Sequence, residues 1–388
     1  LHQLVSVHSF VERGSTEWIR LGLLLCLSSS WMLAPAAHAA EPLHRADLEG
    51  VPVINVHTHP PFSLGETMSL SMLDEEAARR IAAMDAANIR KTVLLCRGFE
   101  TKQHPNLQHV GSQRAAFHFL KAAPERFVVF ITVDFSLMDF PDFTARALEH
   151  FEASVRAGAR GLKFEIGKPA WRWMPMDDPR LDPIYRRAGE LGLSIMYHTS
   201  DPEEFFLPAN RFNYWLADDT IPKEMRYWEM RDKVPMREQL HRERENMLRK
   251  HPDVTFILAH FGMLERHLSL LADLLDRHPN VHLECSATLG DGARSPNEFA
   301  VFLTHYADRI MFGTDGGWNP QSTEGWVRVY QRYFSIFETD QHDIIPRARA
   351  AAWKVHGLNL SKEVLEKIYY KNAEKLLARP VKIPPGSR

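Results

Sequence analysis

From Val51 onward, short apolar runs alternate with longer amphipathic ones without a break. The apolar runs are Val51–His57, Thr92–Cys96, Phe127–Val133, Gly161–Glu165, Leu193–His198, Val254–His260, Val281–Cys285 and Arg309–Gly313. Between them lie Asp74–Asn88, Gly111–Ala123, Asp142–Ala157, Pro179–Leu191, Met236–Lys250, Leu264–His278 and Ser295–Tyr306, and further helices end with Ser361–Leu377. The short runs read as strands. The longer ones carry helical spacing, as with Ile81 and Met84 in the first. Strict alternation implies parallel strands joined by helical crossovers. Eight such units is the number that closes a barrel. The predicted fold is therefore α/β, a (β/α)8 TIM barrel with a C-terminal helical extension. An open doubly wound sheet shares the alternation, but would not by itself bring the ends of strands one, five, six and eight together.

The first 39 residues read differently. Arg20 precedes the apolar run Leu21–Leu33, and Ala37-His38-Ala39 follows with small residues at both specificity positions. This is the layout of a secretory signal peptide cleaved after Ala39. The run is interrupted by Ser28, Ser29 and Ser30 and falls short of the ~20 residues of a membrane span. Residues 1–39 are thus expected to be a signal with an N-terminal lead, and residues 40–388 one barrel domain that is exported and not inserted in the membrane. Cys26, preceded by Leu24 and Leu25, does not fit a lipoprotein signal. Cys96 and Cys285 fall on nonadjacent strands, so free thiols are expected, because a disulfide needs Cα atoms within ~7 Å. A formal net charge of −2 offers no electrostatic case for nucleic acid or a membrane surface, which leaves a small molecule as the expected partner. Assembly as a homodimer is left open.

Barrel enzymes place their chemistry at the C-terminal ends of the strands. Strand one ends in His57-Thr-His59, strand five in His198 and strand six in His260, while strand eight runs into Gly313-Thr314-Asp315. Residues i and i+2 of a strand share a face, so His57 and His59 make half a metal site by themselves. A histidine at one strand end is ordinarily a hydrogen-bonded structural residue. The coincidence of four histidines and an aspartate at the same end of one barrel is what points to a divalent transition ion such as Zn2+.

This set resembles the amidohydrolase superfamily. More narrowly, it resembles the subfamily of aminocarboxymuconate semialdehyde decarboxylase and several lactone hydrolases. Gly161-Leu162-Lys163-Phe164, Asp178-Pro179 to Tyr185, His251-Pro252 to Gly262, Phe312-Gly313-Thr314-Asp315 and Asn372-Ala373 support the resemblance. The resemblance implies that His57, His59, His198 and Asp315 hold the metal. It also implies that His260 orients or deprotonates the metal-bound water, or polarises the substrate; Asp315 at the rim can ligate the ion or accept a proton from that water.

Lys163 and Glu165 share one face of strand four, the face opposite Leu162 and Phe164. A free ammonium beside a dication is repelled, so Lys163 is carboxylated, displaced toward substrate, or paired with Glu165; one metal and an unmodified lysine are expected. Arg97 could grip a substrate carboxylate or form a salt bridge. Glu284 could support the histidines or pair with Lys163. Trp171, Trp173 and Trp318 fall in the expected mouth loops and could wall an apolar substrate pocket or pack against each other. The stretch from Thr199 to Pro235 is long and aromatic, either a packing flap or a lid.

The expected activity is metal-dependent hydrolysis, with metal-activated water attacking the carbonyl of a lactone, ester or amide. Lys163 and the export signal tilt the reading that way. The alternative is a metal-dependent non-oxidative decarboxylase of an unsaturated or aromatic acid. A non-catalytic periplasmic binding protein is the third reading.

Overall fold

The computed structural model describes residues 48, 50–61, 68–97, 110–171, 174–216, 221, 223–317, 322–346 and 353–383. The expected signal peptide, Trp173 and Trp318 lie outside these residues. The chain from Glu41 to Arg388 forms one compact unit. Among the described residues no helix is long and apolar enough to cross a membrane.

The eight strands form one parallel sheet in sequence order: β1 (Val53–Thr58), β2 (Ile89–Leu95), β3 (Phe127–Ile131), β4 (Gly161–Phe164), β5 (Ser194–Tyr197), β6 (Thr255–Leu258), β7 (Val281–Glu284) and β8 (Ile310–Met311). β1 meets the chain leaving β8 through a parallel bridge between Thr58 and Gly316. The Val56 amide donates to the Phe312 carbonyl at 2.9 Å and the Asp315 amide to that of His57 at 2.8 Å. The barrel therefore closes as expected, with its seam at the strands that carry His57, His59 and Asp315.

The crossover helices are α1 (Leu70–Ala86), α2 (Val110–Ala122), α3 (Phe143–Arg156), α4 (Asp182–Glu190), α5 (Arg237–Lys250), α6 (Leu268–Arg277), the single turn α7 (Leu289–Gly292) and α8 (Pro296–His305). α9 (Thr323–Glu338), α10 (Lys362–Glu366), a π-turn over Lys367–Lys371 and α11 (Asn372–Leu377) follow β8. The Ser361 hydroxyl accepts the Val364 amide at the start of α10, the cap that a serine there predicts.

Two apolar layers hold the barrel. Ile54, Val56, Val93, Leu95, Phe130, Met196, Ile257 and Met311 fill its interior, where Ala373 and Leu376 of α11 join them. The alternate residues, among them Leu94, Phe164, Tyr197 and Leu283, pack outward against the helices. This alternation puts Lys163 inside the barrel, between Leu162 and Phe164 of the outer layer. It also contains an exception. Strict alternation from Ile54 and Val56 would turn His57 outward. The β1–β2 register shifts between Asn55 and Thr58, and such irregularities re-aim side chains. That departure lets His57 join His59 at the mouth.

Cys96 and Cys285 are buried free thiols, as expected. The described residues of the connection after β5 hold no α-helix. They wind through 3-10 turns at Glu203–Phe206, Lys223–Met225 and Tyr227–Met230. Phe205, Phe206 and Tyr227 are buried, whereas Phe212 stands out at 78% exposure.

Candidate metal centre

His57 and His59 bring their Nε2 atoms within 3.3 Å of each other. Asp315 Oδ1 lies 3.2 Å from the first and 3.1 Å from the second. Each ring is turned by its other nitrogen. His59 Nδ1 is 2.8 Å from the Leu95 carbonyl, which can only accept, so Nδ1 carries the proton and Nε2 the lone pair. His57 Nδ1–H donates to Glu284 Oε1 at 2.9 Å, with the same result. Two imidazole lone pairs and a carboxylate oxygen thus converge with no donor among them.

His260 and His198 repeat the pattern. His260 Nδ1–H donates to the Ser286 carbonyl at 3.0 Å, leaving a lone pair on Nε2. That atom is 3.1 Å from His198 Nδ1, whose own ring donates from Nε2 to Asp201 Oδ1 at 3.2 Å. His57, His260 and Asp315 each offer a ligand atom within 4.8 Å of the others.

Facing lone pairs repel unless positive charge sits among them, and this decides whether the residues fit a metal. Tetrahedral coordination at ~2.1 Å separates donor atoms by about 3.4 Å, close to the spacings found here. The ionisation of the cluster states the same demand. Burial works against the His57 imidazolium, yet the Glu284 and Asp315 carboxylates outweigh it and raise its pKa. Burial holds His59 and His260 near 4 and His198 well below the usual histidine range. Burial also opposes ionisation of Asp315, but His57, His59 and His260 hold its carboxyl well below the ordinary range. Carboxylates that favour positive charge at His57, among histidines that burial keeps neutral, make a site that takes a cation. A His/His/Asp set of this kind fits a divalent metal.

Glu284 is the anchor of the cluster. It is fully buried and accepts His57 Nδ1–H, the His260 amide at 2.7 Å, the Ser286 amide at 2.8 Å and the Ser286 hydroxyl at 2.9 Å. Burial alone would raise its pKa; His57, His260 and the Ser286 amide bring it to about 2. Glu284 therefore supports the histidines and does not pair with Lys163. Gly313 is dictated by this packing, since a Cβ there would lie 2.2 Å from Glu284 Oε2 and 2.9 Å from His57 Cβ.

The turn carrying His260 is strained. His260, Phe261 and Met263 have φ of 58°, 52° and 58°, a left-handed region that costs roughly 1–2 kcal/mol per L-residue. Arg244 donates to the Gly262 carbonyl at 2.9 Å and Arg237 to that of Met263 at 2.8 Å, which with Glu284 hold the turn. Strain of this kind collects at functional sites. Arg80 does similar service at the seam, donating to the carbonyls of His59 at 2.7 Å and Gly317 at 3.0 Å.

The four cationic and acidic candidates sort themselves. Arg97 Nε donates to Glu165 Oε2 at 2.8 Å, and both are buried. Burial would raise the Glu165 pKa, but Arg97, Lys168 and Lys163 hold it well below the ordinary value. Lys163 is wholly buried, and its Nζ has no hydrogen-bond partner among the described residues. Burial lowers its pKa to about 8 against the pull of Glu165, Asp315 and Glu284. Ser286, Asp201 and Arg80 were not among the residues marked in the sequence, and Tyr227 was marked only as one of the aromatic residues of the connection after β5. Asp201, three residues beyond His198, and Ser286, two beyond Glu284, are the ones that position could have suggested.

Eight parallel strands with a histidine–carboxylate cluster at their C-terminal ends define a (β/α)8-barrel enzyme with a site for a divalent ion. The amidohydrolase family model matches residues 54–379, and the chain belongs to that family. No curated protein matches it. Among solved structures it is similar to 2,6-dihydroxybenzoate decarboxylase from Rhizobium, with 15% identity over 84% of this chain and 98% of that one and a TM-score of 0.51. It is also similar to 4-oxalomesaconate hydratase from Rhodopseudomonas palustris (13%, 84% and 95%, 0.51). A third is a dihydroxybenzoic acid decarboxylase from Polaromonas sp. JS666 with bound manganese and the inhibitor 2-nitroresorcinol (14%, 84% and 96%, 0.50). At these identities the likeness concerns the fold.

Proposed function

We propose that the chain is a divalent-metal-dependent carboxy-lyase that removes a carboxyl group, without oxidation, from a small unsaturated or aromatic acid. The observation that carries this is Lys163. A fully buried ammonium without a hydrogen-bond partner is costly. An anionic substrate drawn in beside it relieves that cost and stands next to the cluster, whereas a neutral lactone or ester does not. The sequence led toward hydrolysis partly through this same lysine; its lack of a partner argues for an acid.

The ion, when bound, supplies a Lewis-acidic charge that polarises a substrate oxygen. His57, His59, His198 and Asp315 would hold it. Imidazole and carboxylate donors suit zinc, and manganese accompanies the similar Polaromonas decarboxylase. Lys163 binds and orients the substrate carboxylate. Loss of carbon dioxide leaves the bonding pair on carbon, so one proton must be delivered there. That proton comes from solvent: His260 Nε2 and Asp315 are unprotonated and can relay a proton without storing one, and Asp315, with its side chain 18% exposed, is the member of the cluster best connected to solvent.

Hydrolysis of a lactone, ester or amide is the second reading. It is favoured by His260, whose unprotonated Nε2 is placed to accept a proton from water. Purified protein loaded with Zn2+ or Mn2+ and offered dihydroxybenzoates, unsaturated diacids and lactones tests the two. Carboxy-lyase activity requires one carbon dioxide per acid consumed and solvent deuterium at the vacated carbon. Acid release from lactones with no carbon dioxide from any acid would overturn it in favour of hydrolysis.

A further inference from the structure

The connection after β5 contributes one buried hydroxyl to the centre. Tyr227, fully buried, donates from its OH to Asp201 Oδ2 at 2.5 Å and accepts the Ala170 amide at 3.4 Å. Asp201 is 2% exposed, and its other oxygen accepts His198 Nε2–H at 3.2 Å with Lys168 Nζ at 3.8 Å. A neutral imidazole has one N–H, and the nitrogen that keeps it is chosen by the hydrogen bond the ring makes. Asp201 therefore keeps the proton on Nε2 and leaves the lone pair on Nδ1, the atom that faces His260 Nε2 at 3.1 Å.

We propose that Tyr227 is a positioning residue for the metal centre: its hydroxyl holds Asp201, and Asp201 selects the His198 tautomer that presents Nδ1 to the ion. This rests on the reading of the cluster as a metal site. The consequence is a link between the connection and the ion. If a seated Tyr227 strengthens metal binding, bound metal must stabilise the seat by the same factor. The other donors do not depend on Tyr227: His57, His59 and Asp315 are held by Leu95, Glu284 and the closing seam.

The test uses the full chain and Zn2+ alone, with affinity measured by chelator competition and backbone hydrogen exchange followed around Tyr227. Outer partners of ligating histidines change metal affinity about 10–100-fold, and Tyr227→Phe is expected to weaken Zn2+ binding within that range. In the wild-type chain Zn2+ should slow exchange around Tyr227, and in the variant this slowing should be lost. Phe206→Leu serves as the packing control, because the Phe206 ring lies 4.9 Å from that of Tyr227 and carries no hydrogen-bonding group. It should keep wild-type affinity. Wild-type affinity in Tyr227→Phe, or an equal loss in Phe206→Leu, overturns the role of the hydroxyl. Failure of the wild-type chain to bind Zn2+ overturns the metal reading, and the proposal with it.

Discussion

The two sides of the metal centre are held by different means. On the β1–β7–β8 side, His57 is fixed by Glu284 at the end of β7, and Glu284 also takes the amides of His260 and Ser286. The geometry there is set by strand ends and backbone. On the β5 side, His198 depends on Asp201, and Asp201 on a tyrosine borne by a long connection. Strand-held groups are pre-organised by the barrel. Loop-held groups are seated only when the connection is. The first side supplies a fixed set of donors, and the second can be coupled to what occupies the mouth.

The largest break of this comparison is on the fixed side. Replacing Glu284 by Gln turns an acceptor-only group into one with an NH2, which must face a donor whichever way it lies. Disrupting one partner of a buried pair costs roughly 3–5 kcal/mol. Glu284→Gln should lose about that much in urea unfolding at neutral pH and lose metal binding as well. The sign of the pH dependence follows from its low pKa. A carboxylate held at about 2, against an ordinary 4.5, contributes stability that is present above pH ~4.5 and lost as pH falls toward 2. The gap between wild type and variant should therefore narrow across that window. A gap that stays constant down to pH 2 would mean that the ionised form of Glu284 is not what stabilises the site.

The same division explains what could be read from the chain. The barrel was legible because eight apolar runs and the helices between them carry their periods locally. His57, His59, His198, His260 and Asp315 were legible because strand order alone puts them at one mouth. Lys163 was placed inside the barrel by alternation. What could not be read depends on geometry that sequence spacing does not carry. The irregularity that turns His57 inward is a pairing property of two strands. The left-handed turn at His260 has only Gly262 to announce it, and Gly313 shows its purpose only once Glu284 is in place beside it. Tyr227 is separated from Asp201 by a connection whose path no periodicity predicts. Glu165 could equally have been given to Lys163, and the choice of Arg97 is made by three-dimensional proximity.

Between the two sides stands Lys163, and its substitution should move stability and function in opposite directions. Its pKa is lowered from 10.5 to about 8, so burial disfavours the charged form. Below pH 8 both folded and unfolded chains hold the proton, and the folded one bears the desolvation cost. Between pH 8 and 10.5 the unfolded chain binds more protons, and stability rises with pH. Lys163→Met should stabilise the metal-free protein by about 3 kcal/mol at pH 7, since a pKa lowered from 10.5 to about 8 corresponds to 1.36 kcal/mol for each pKa unit. It should also flatten that rise and raise the KM for an acid substrate. A variant less stable than wild type at pH 7 would show that Lys163 has a partner that strengthens the fold.

The smallest effect belongs to the tip of the connection after β5. Phe212 is 78% exposed, whereas Phe205, Phe206 and Tyr227 of the same connection are buried. If the connection serves the centre through its buried residues, the tip contributes neither to the fold nor to the seat of Tyr227. Phe212→Ala should then shift unfolding free energy by no more than about 0.5 kcal/mol, the usual range for an exposed position. Zn2+ affinity should stay as in wild type. A loss of Zn2+ affinity in this variant would place the lever at the exposed tip, and the loop-held side of the centre would then be governed by closure of the whole connection and not by the single hydroxyl of Tyr227.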